Sequence, residues 1–431
     1  MFLSAVSPFS AVRPHCFTHV IRVCVTVGFG VSLFGCRPDA GRHLDDQAEA
    51  YVRLVLALGE RDADSLDFYA GPPAWMAEAR TKRAPLSEIK RAATALLDEL
   101  TRDRDRAPDE GARRLFLTAQ VRAVAARVDL LSGHRLTFDE ESRLLFGVEA
   151  GEVDRRSFAD ADAELDRMLP GDGSLGHRYA AYERRFVIPS DRLPAVMIRA
   201  IDGCRRATLG HLSLPAGEQA AVEYVRGTPW SAFTRYEGRG RSRIQINTDF
   251  DLTVDRALQL ACHETYPGHH AINSLIDARF ADARHLIEYT VQPMFSPQSL
   301  RTEGAATFAA ELAFPGESRL VFERDILFLL AGLDPAEADK YVRISRLVDA
   351  LRGRQLDVAR RYLDGDLEFA RAARELEEDA LMPSADATLK FFNEFRTYTV
   401  AYTVGRDAVA RSVAGADDHW KAYERWLTEM K

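Results

Sequence analysis

The stretch 261-ACHETYPGHH-270 decides the fold expected for this chain. It places His263 beside Glu264, and two more histidines follow at positions 269 and 270. Neutral imidazoles bind zinc, and a carboxylate beside them is able to take a proton from a metal-activated water. The residue types therefore predict a metal-binding helix that also carries a general base.

The spacing of these histidines departs from the usual pattern. In a regular H-E-x-x-H helix the histidines lie four residues apart on one face, whereas here the intervals from His263 are six and seven. An ideal helix places His269 roughly 120° away from His263, and His270 on the same face about 10 Å along. Pro267 and Gly268 favour a kink, bulge or break. A distorted turn that absorbs two residues makes His269 the second ligand, which we favour, and a nearly straight helix makes it His270.

An acidic residue on a following helix is expected to complete the site, and the segment 301-RTEGAATFAAE-311 offers Glu303. The pattern His-Glu-x-x-Pro-Gly-His-His, followed by Glu-Gly-x-Ala-x-x-x-Ala-Glu, resembles the bacterial family called domain of unknown function 885. The resemblance covers most of the chain after about residue 85. That family is similar to the zincin peptidases, so the resemblance implies that His263, His269 and Glu303 bind Zn²⁺ and that Glu264 is the general base. The alternative is a histidine cluster that binds no metal.

The last predicted helix adds candidate catalytic residues. Tyr398 and Tyr402 are four residues apart and would share a helix face. The family has an Arg-x-Tyr and then a Tyr-x-x-Gly pattern here, which implies that one tyrosine stabilises the oxyanion, aided by Arg396. Without the resemblance, two tyrosines at this spacing are more typical of a helix core.

The first 36 residues are typical of an export signal. Arg13 and Arg22 supply positive charge without a nearby acidic residue, and the apolar run 23–34 is too short to span a bilayer. The segment 33-LFGC-36 resembles a lipobox, which predicts a lipid anchor at Cys36 in the bacterial cell envelope, facing the periplasm. An uncleaved membrane anchor or a misassigned start are the alternatives.

Charge and cysteine content restrict the function further. Removing residues 1–35, which contain two arginines and no acidic residue, changes the formal charge from −8 to −10. This acidic balance argues against nucleic acid as a partner. Only Cys204 and Cys262 would remain besides the lipidated cysteine, which excludes a disulfide framework but allows one bridge in an oxidising periplasm.

Apolar periodicity predicts a mainly α protein of the α+β class with a small antiparallel sheet beside the metal-binding helix. Helices are predicted over residues 43–58, 86–101, 109–131, 193–209, 317–330, 336–362 and 366–381. Thr137 and Glu140 make a capping box before another short helix. Residues 221–225, 231–236 and 242–247 predict three antiparallel strands. The third strand directly precedes the metal-binding helix, and we expect it to offer an edge to a peptide substrate; a purely structural meander is the alternative.

The turn-rich segment 169-LPGDG-173 marks the predicted domain boundary. It divides an N-terminal helical region, residues 37–170, from a catalytic region, residues 171–431, after the signal of residues 1–36. The sequence as a whole predicts a lipid-anchored zinc metallopeptidase that acts on peptides in the envelope. The alternative function is a binding or scaffolding lipoprotein of the periplasm whose degenerate metal site does not catalyse.

Overall fold

Helices make up most of the chain, as predicted. The computed structural model describes residues 40–102, 108–228 and 230–429. The predicted export signal and the anchor at Cys36 lie outside the described residues. The helices are α1 (Ala40–Gly59), α2 (Pro73–Lys82), α3 (Leu86–Arg102), α4 (Pro108–Leu131), α5 (Phe138–Phe146), α6 (Ala159–Met168), α7 (Leu175–Glu183), α8 (Leu193–Leu209), α9 (Val254–Glu264), α10 (His269–Ile276), α11 (Pro297–Ala313), α12 (Glu317–Phe322), α13 (Leu329–Ala331), α14 (Ala338–Ala350), α15 (Arg352–Leu363), α16 (Phe369–Glu378), α17 (Ala385–Phe395), α18 (Arg406–Ala414) and α19 (His419–Thr428). None of the described helices has the length and apolar character needed to cross a bilayer.

Two small sheets accompany the helices. The strands are β1 (Leu66–Tyr69), β2 (Gln219–Val225), β3 (Ala232–Gly238), β4 (Arg241–Asn247) and β5 (Val291–Pro293). β1 and β5 form an antiparallel pair, and the other three strands form a mixed sheet in the order β2-β4-β3. The predicted fold class, mainly α with a small β component, is confirmed.

The three-stranded sheet differs from the predicted antiparallel meander. β3 and β4 form the expected antiparallel hairpin, but β2 lies parallel to β4, which is therefore the central strand. The connection from β2 to β3 crosses the end of β4, where the Asn247 side-chain amide donates to the carbonyl oxygens of Thr228 at 2.8 Å and Trp230 at 3.1 Å. The prediction that the third strand has a free edge was wrong, because both edges of β4 are paired.

Several predicted helices match the structure within a residue, and others differ in extent or are interrupted. The predictions at 86–101, 109–131 and 193–209 correspond to α3, α4 and α8, and the capping box of Thr137 and Glu140 is present at the start of α5. The predicted helix 336–362 is divided into α14 and α15 by a turn at the fully buried Leu351. The last predicted helix ends at Phe395 because Arg396 adopts a left-handed φ of 50°, and a π-helical turn, Ala401–Gly405, follows.

Helix α11 runs through the centre of the apolar core. Phe308 belongs to a cluster with α1, α3 and α4, Ala309 packs in a second cluster with α8, α9 and α14, and Leu300 lies in a third with α5, α15 and α17. A helix that is held on several sides has little freedom to shift. Its polar residues therefore occupy fixed positions relative to the rest of the fold.

Two glycines allow α11 to contact the π-helical turn closely. A Cβ atom at Gly304 would lie 2.4 Å from the carbonyl carbon of Gly405, and a Cβ at Gly405 would lie 2.7 Å from the carbonyl oxygen of Leu300. Any larger residue at either position would push the two segments apart. This contact holds the turn that carries Tyr402 against the helix that carries Glu303.

A disulfide between Cys204 and Cys262 joins α8 to the end of α9. Both cysteines are fully buried. The bridge fixes the residue directly before His263 to a neighbouring helix. The single bridge that the sequence allowed is therefore present.

The loop predicted at residues 169–173 connects α6 to α7. The described residues between Ala40 and Glu429 form one compact unit. The division into a helical and a catalytic region at this loop stays a prediction.

Candidate metal centre

The chain breaks sharply between α9 and α10, directly after Glu264. Pro267 has no N–H to continue the helix, and the N–H of Gly268 donates instead to the carbonyl oxygen of Cys262 at 3.0 Å. A Cβ atom at Gly268 would lie 1.9 Å from the carbonyl oxygen of His263, so only glycine fits at this position. Helix α10 then begins at His269, and the break predicted at Pro267 and Gly268 is confirmed.

The break places two imidazoles and one carboxylate together. His263 Nε2 lies 3.1 Å from His269 Nε2 and 3.5 Å from Glu303 Oε2. His269 Nε2 is 3.2 Å from Glu303 Oε1. Among the described residues, these three side chains form a group whose ligand atoms all lie within 4.8 Å of one another.

The distances and donor types fit a zinc ion. Zinc bonds of about 2.0–2.1 Å in tetrahedral geometry separate neighbouring ligand atoms by roughly 3.3 Å, which is close to the separations found here. In addition, Glu303 Oε2 is buried and has no hydrogen-bond partner among the described residues. A buried carboxylate oxygen without a partner is unfavourable, and a cation between the three side chains would remove this penalty.

Electrostatics within the group keep Glu303 ionised. Burial raises the pKa of Glu303, but the charge of His269, its hydrogen bond and the charge of His263 outweigh burial and lower the pKa to about 2. Burial lowers the pKa of His269, yet the charge of Glu303 and its hydrogen bond raise it to about 9. Burial and then the charge of His269 lower the pKa of His263. The negative charge of Glu303 thus stabilises a positive charge between the three side chains.

Tyr398 is a partner of Glu303. Its hydroxyl donates to Glu303 Oε1 at 3.0 Å and accepts a hydrogen bond from Ser299 Oγ at 3.2 Å. Burial, followed by the charge of Glu303, raises the pKa of Tyr398 well above its ordinary value, so the hydroxyl keeps its proton. The side chain therefore orients one of the candidate ligands.

Tyr402 lies beside Tyr398, with the two ring centroids 5.6 Å apart, and its ring is 6.2 Å from the ring of His263. Its hydroxyl has no hydrogen-bond partner within the described ranges. Burial, the charge of Glu303 and the charge of Glu264 raise the pKa of Tyr402 well above its ordinary value. A protonated hydroxyl in this position is able to donate a hydrogen bond to a bound molecule.

Arg396 is bound to a different part of the fold from the one that the sequence predicted. Its Nε donates to Oε2 of the buried Glu141 at 2.7 Å, and the other carboxylate oxygen accepts from Thr397 Oγ1 at 2.9 Å. The pair fixes the turn that leads to Tyr398. The arginine whose charge acts on His263 and Tyr402 is Arg256, seven residues before His263, a spacing that the sequence could have revealed.

Glu264 is held beside the group by strand β3. Thr234 Oγ1 lies 2.7 Å from both Oε2 and the main-chain oxygen of Glu264. The other carboxylate oxygen, Oε1, is 4.0 Å from His263 Nε2. The carboxylate is therefore next to the three candidate ligands without being one of them, as a general base requires.

His270 is engaged elsewhere. Its Nε2 lies 2.8 Å from Glu218 Oε2, and its Nδ1 lies 2.8 Å from Ser242 Oγ. Tyr266 and Arg205 also donate to Glu218, at 2.5 and 2.8 Å. Because both ring nitrogens have protein partners and the side chain is fully buried, the geometry favours His269 over His270 as the second ligand.

Two residues near the group had no signal in the sequence. Thr234 is an ordinary strand residue, and Asp67 belongs to β1, about two hundred positions before the histidines. The charge of Asp67 nevertheless acts on the pKa values of His269, Tyr398 and Tyr402. Only the tertiary fold brings either residue to the site.

Comparison with known proteins identifies no family. No family model and no curated protein matches the sequence, so the resemblance to the domain of unknown function 885 family stays a prediction. The chain is similar to the crystal structure of a "putative lipoprotein" from Colwellia psychrerythraea, with a TM-score of 0.50 and 15% identity over 82% of this chain and 69% of that one. At this identity the similarity shows a common fold and nothing about activity.

Two further solved structures are more distant. One is a "putative lipoprotein of unknown function" from Shewanella oneidensis, with a TM-score of 0.42 and 13% identity over 83% of this chain and 73% of that one. The other is a carboxypeptidase of Pyrococcus furiosus, with a TM-score of 0.42 and 12% identity over 90% and 89% of the two chains.

The two neighbouring histidines are distinguishable by metal affinity. His269→Ala removes a candidate ligand and is expected to lose zinc at micromolar free metal. His270→Ala removes only a group that fixes the loop, so we expect it to keep zinc with an affinity weakened about 10- to 100-fold. Elemental analysis and a competition titration with a chelator measure both effects.

His285→Asn is the control for this experiment. His285 is exposed and adopts a φ of 56°, a conformation that asparagine tolerates better than alanine does. Its zinc content should equal that of the wild type. Greater loss in His270→Ala than in His269→Ala would reverse the assignment, and small, equal losses would mean that neither histidine binds metal.

Proposed function

We propose that this protein is a zinc-dependent hydrolase, and more specifically a metallopeptidase of the bacterial cell envelope. The observation that carries the proposal is the convergence of His263, His269 and Glu303 next to Glu264, with one oxygen of Glu303 buried and unpaired. Two nitrogen ligands, one oxygen ligand and an adjacent carboxylate are the groups that a hydrolytic zinc site uses.

In this proposal His263, His269 and Glu303 hold the zinc ion. When bound, zinc polarises a carbonyl group and lowers the pKa of a coordinated water toward about 7. Tyr398 keeps the Glu303 carboxylate in place through the 3.0 Å hydrogen bond to Oε1. A hydrogen bond of this kind to a ligating carboxylate typically changes metal affinity or activity by about 10- to 100-fold.

Glu264 acts as the general base. It takes a proton from the attacking water and delivers it to the amine that leaves when the peptide C–N bond breaks. Thr234 binds one carboxylate oxygen and leaves the other, Oε1, directed to the ligand group. This fixed orientation limits the movement that proton transfer requires.

Tyr402 is the better candidate for stabilising the oxyanion of the tetrahedral intermediate. The Tyr398 hydroxyl already donates a hydrogen bond to Glu303. The Tyr402 hydroxyl has no hydrogen-bond partner in the described part of the chain. Hydrogen-bond donors aimed at developing negative charge are among the larger contributions to catalysis. Arg396 is no longer part of the proposed mechanism, since Glu141 binds its guanidinium.

A peptide is the substrate class that the position of β3 supports. This strand is at the edge of its sheet and carries Thr234, which contacts the proposed base. An extended peptide is able to pair with such an edge through main-chain hydrogen bonds. We therefore propose that the substrate pairs with β3, and not with β4 as the sequence suggested.

A lipid anchor at Cys36 would place the enzyme at the membrane, facing the periplasm. The lipobox-like segment 33-LFGC-36 supports this location, as does the name "lipoprotein" of the similar Colwellia protein. The disulfide between Cys204 and Cys262 is consistent with an oxidising compartment.

Cys36→Ser tests the anchor. We expect the variant to move from the detergent phase to the aqueous phase in a phase-partition experiment, or to accumulate as an unprocessed precursor. The double variant Cys204→Ser with Cys262→Ser is the control and should partition like the wild type, because only Cys36 would carry lipid. An unchanged partition of Cys36→Ser would rule out lipidation at this residue.

Turnover of a peptide library by the zinc-loaded protein tests the proposed activity. Glu264→Gln should keep the zinc content of the wild type. Its turnover rate should fall about 10²- to 10⁴-fold, because the amide cannot accept the proton. The exposed Glu317→Gln is the matched control and should be fully active. Equal turnover by Glu264→Gln would exclude Glu264 as the base, and zinc binding without any turnover in the wild type would favour the binding or scaffolding function.

A further inference from the structure

Asp67 occupies a β-bulge next to the proposed zinc site. In the pair formed by β1 and β5, Leu66 lies opposite Pro293 and Phe68 lies opposite Gln292. Asp67 is therefore an extra residue without a partner on β5. A bulge of this kind redirects a side chain, and such bulges are common next to active sites.

The carboxylate of Asp67 has an unpaired oxygen. Oδ1 is buried and has no hydrogen-bond partner within the described residues. The charged groups that act on this carboxylate are His269, Glu303 and Glu264. Burial raises the pKa of Asp67 to about 7, because a buried carboxylate without a donor or a cation beside it is disfavoured.

Asp67 is neither a candidate metal ligand nor a residue that orients one. It does not belong to the group of three side chains whose ligand atoms converge. The described residues also contain no hydrogen bond between Asp67 and His269, so the carboxylate does not orient that imidazole. Neither role therefore accounts for its buried oxygen.

Strand β1 also packs next to the C-terminal end of β3. The rings of Phe68 and Tyr236 are 5.1 Å apart, and a Cβ atom at Gly238 would lie 3.1 Å from the Cβ of Ala70. Thr234, which contacts the proposed base, precedes this end. A peptide that pairs with β3 at Thr234 would reach β1 within a few residues, and we expect its chain to end there.

The direction in which the peptide pairs with β3, together with the charge of Asp67, indicates which end of the peptide lies next to β1. Antiparallel pairing, the commoner arrangement of neighbouring strands, would place the N-terminus of the peptide next to the C-terminal end of β3, where β1 lies. A terminal ammonium group there would satisfy Asp67, whereas a terminal carboxylate would be repelled. Charge and geometry thus agree on the amino terminus.

We propose that Asp67 binds the free α-ammonium group of the substrate, so that the protein is an exopeptidase that acts from the amino terminus of a peptide. This inference rests on the proposed zinc peptidase activity, because Asp67 is placed relative to that reaction centre. Asp67 is a specificity-determining residue in this proposal and takes no part in proton transfer.

The test compares the zinc-loaded wild type with Asp67→Asn on three forms of one peptide: unmodified, N-acetylated and C-amidated. The wild type should cleave the unmodified and C-amidated forms and not the acetylated one. Asp67→Asn should lower kcat/KM for the unmodified peptide about 10- to 100-fold, since it loses a charged hydrogen bond. The exposed Asp98→Asn is the control and should behave like the wild type.

Calorimetry gives a readout that does not depend on turnover. In the Glu264→Gln background, the unmodified peptide should bind about 10- to 100-fold more tightly than the acetylated peptide, and adding Asp67→Asn should remove that difference. The zinc content should stay at one ion per chain throughout. A content of two ions that falls to one in Asp67→Asn would overturn the inference in favour of a second metal.

The outcomes separate this inference from the function on which it rests. Equal cleavage of acetylated and unmodified peptides, or a requirement for a free C-terminus, would overturn the role of Asp67 and leave the peptidase intact. Absence of turnover with zinc bound would contradict the peptidase, and the calorimetric comparison would still decide whether Asp67 recognises an ammonium group. Equal binding of the two peptides there would overturn it.

Discussion

The hydrogen bond from the Gly268 N–H to the carbonyl oxygen of Cys262 is the interaction on which the candidate metal centre depends. It closes the chain back on the end of α9 and lets α10 start at His269, so that two histidines six residues apart have their Nε2 atoms 3.1 Å apart. A continuous helix would have separated them in angle and in height. Only glycine fits at position 268, because a side chain would collide with the carbonyl oxygen of His263.

Several contacts keep this arrangement in place. The disulfide at Cys262 holds the end of α9, and the fully buried His270 fixes the start of α10 through Glu218 and Ser242. On the other side, the contact between Gly304 and Gly405 brings the turn that carries Tyr402 to the helix that carries Glu303. The group of ligand atoms is thus held by covalent, polar and packing constraints, and one oxygen of Glu303 is buried without a hydrogen-bond partner among the described residues.

Local chemistry explains what could be predicted from the sequence. The helical class, the break at Pro267 and Gly268, and a histidine after the break as a candidate ligand follow from residue types and short spacings. The break was predictable because it depends on the missing N–H of proline and the free backbone of glycine. Its consequence, that His269 and not His270 faces His263, required the surrounding structure.

Features that depend on distant segments could not be predicted. β2 pairs in parallel with β4, and the loop from β2 to β3 crosses the end of β4. Asn247 stabilises this loop. No local sequence pattern indicates the arrangement. The partner that binds Arg396 could not be predicted, because Glu141 lies 255 positions earlier. Thr234 and Asp67 reach the site only through the tertiary fold.

Anomalous diffraction at the zinc absorption edge, from crystals grown with zinc, tests the central claim most directly. We expect one anomalous peak within about 2.0–2.2 Å of His263 Nε2, His269 Nε2 and the carboxylate of Glu303. The same position should show no peak in crystals of His263→Ala. A zinc peak at other residues, or no peak at this group in the presence of excess zinc, would contradict the account.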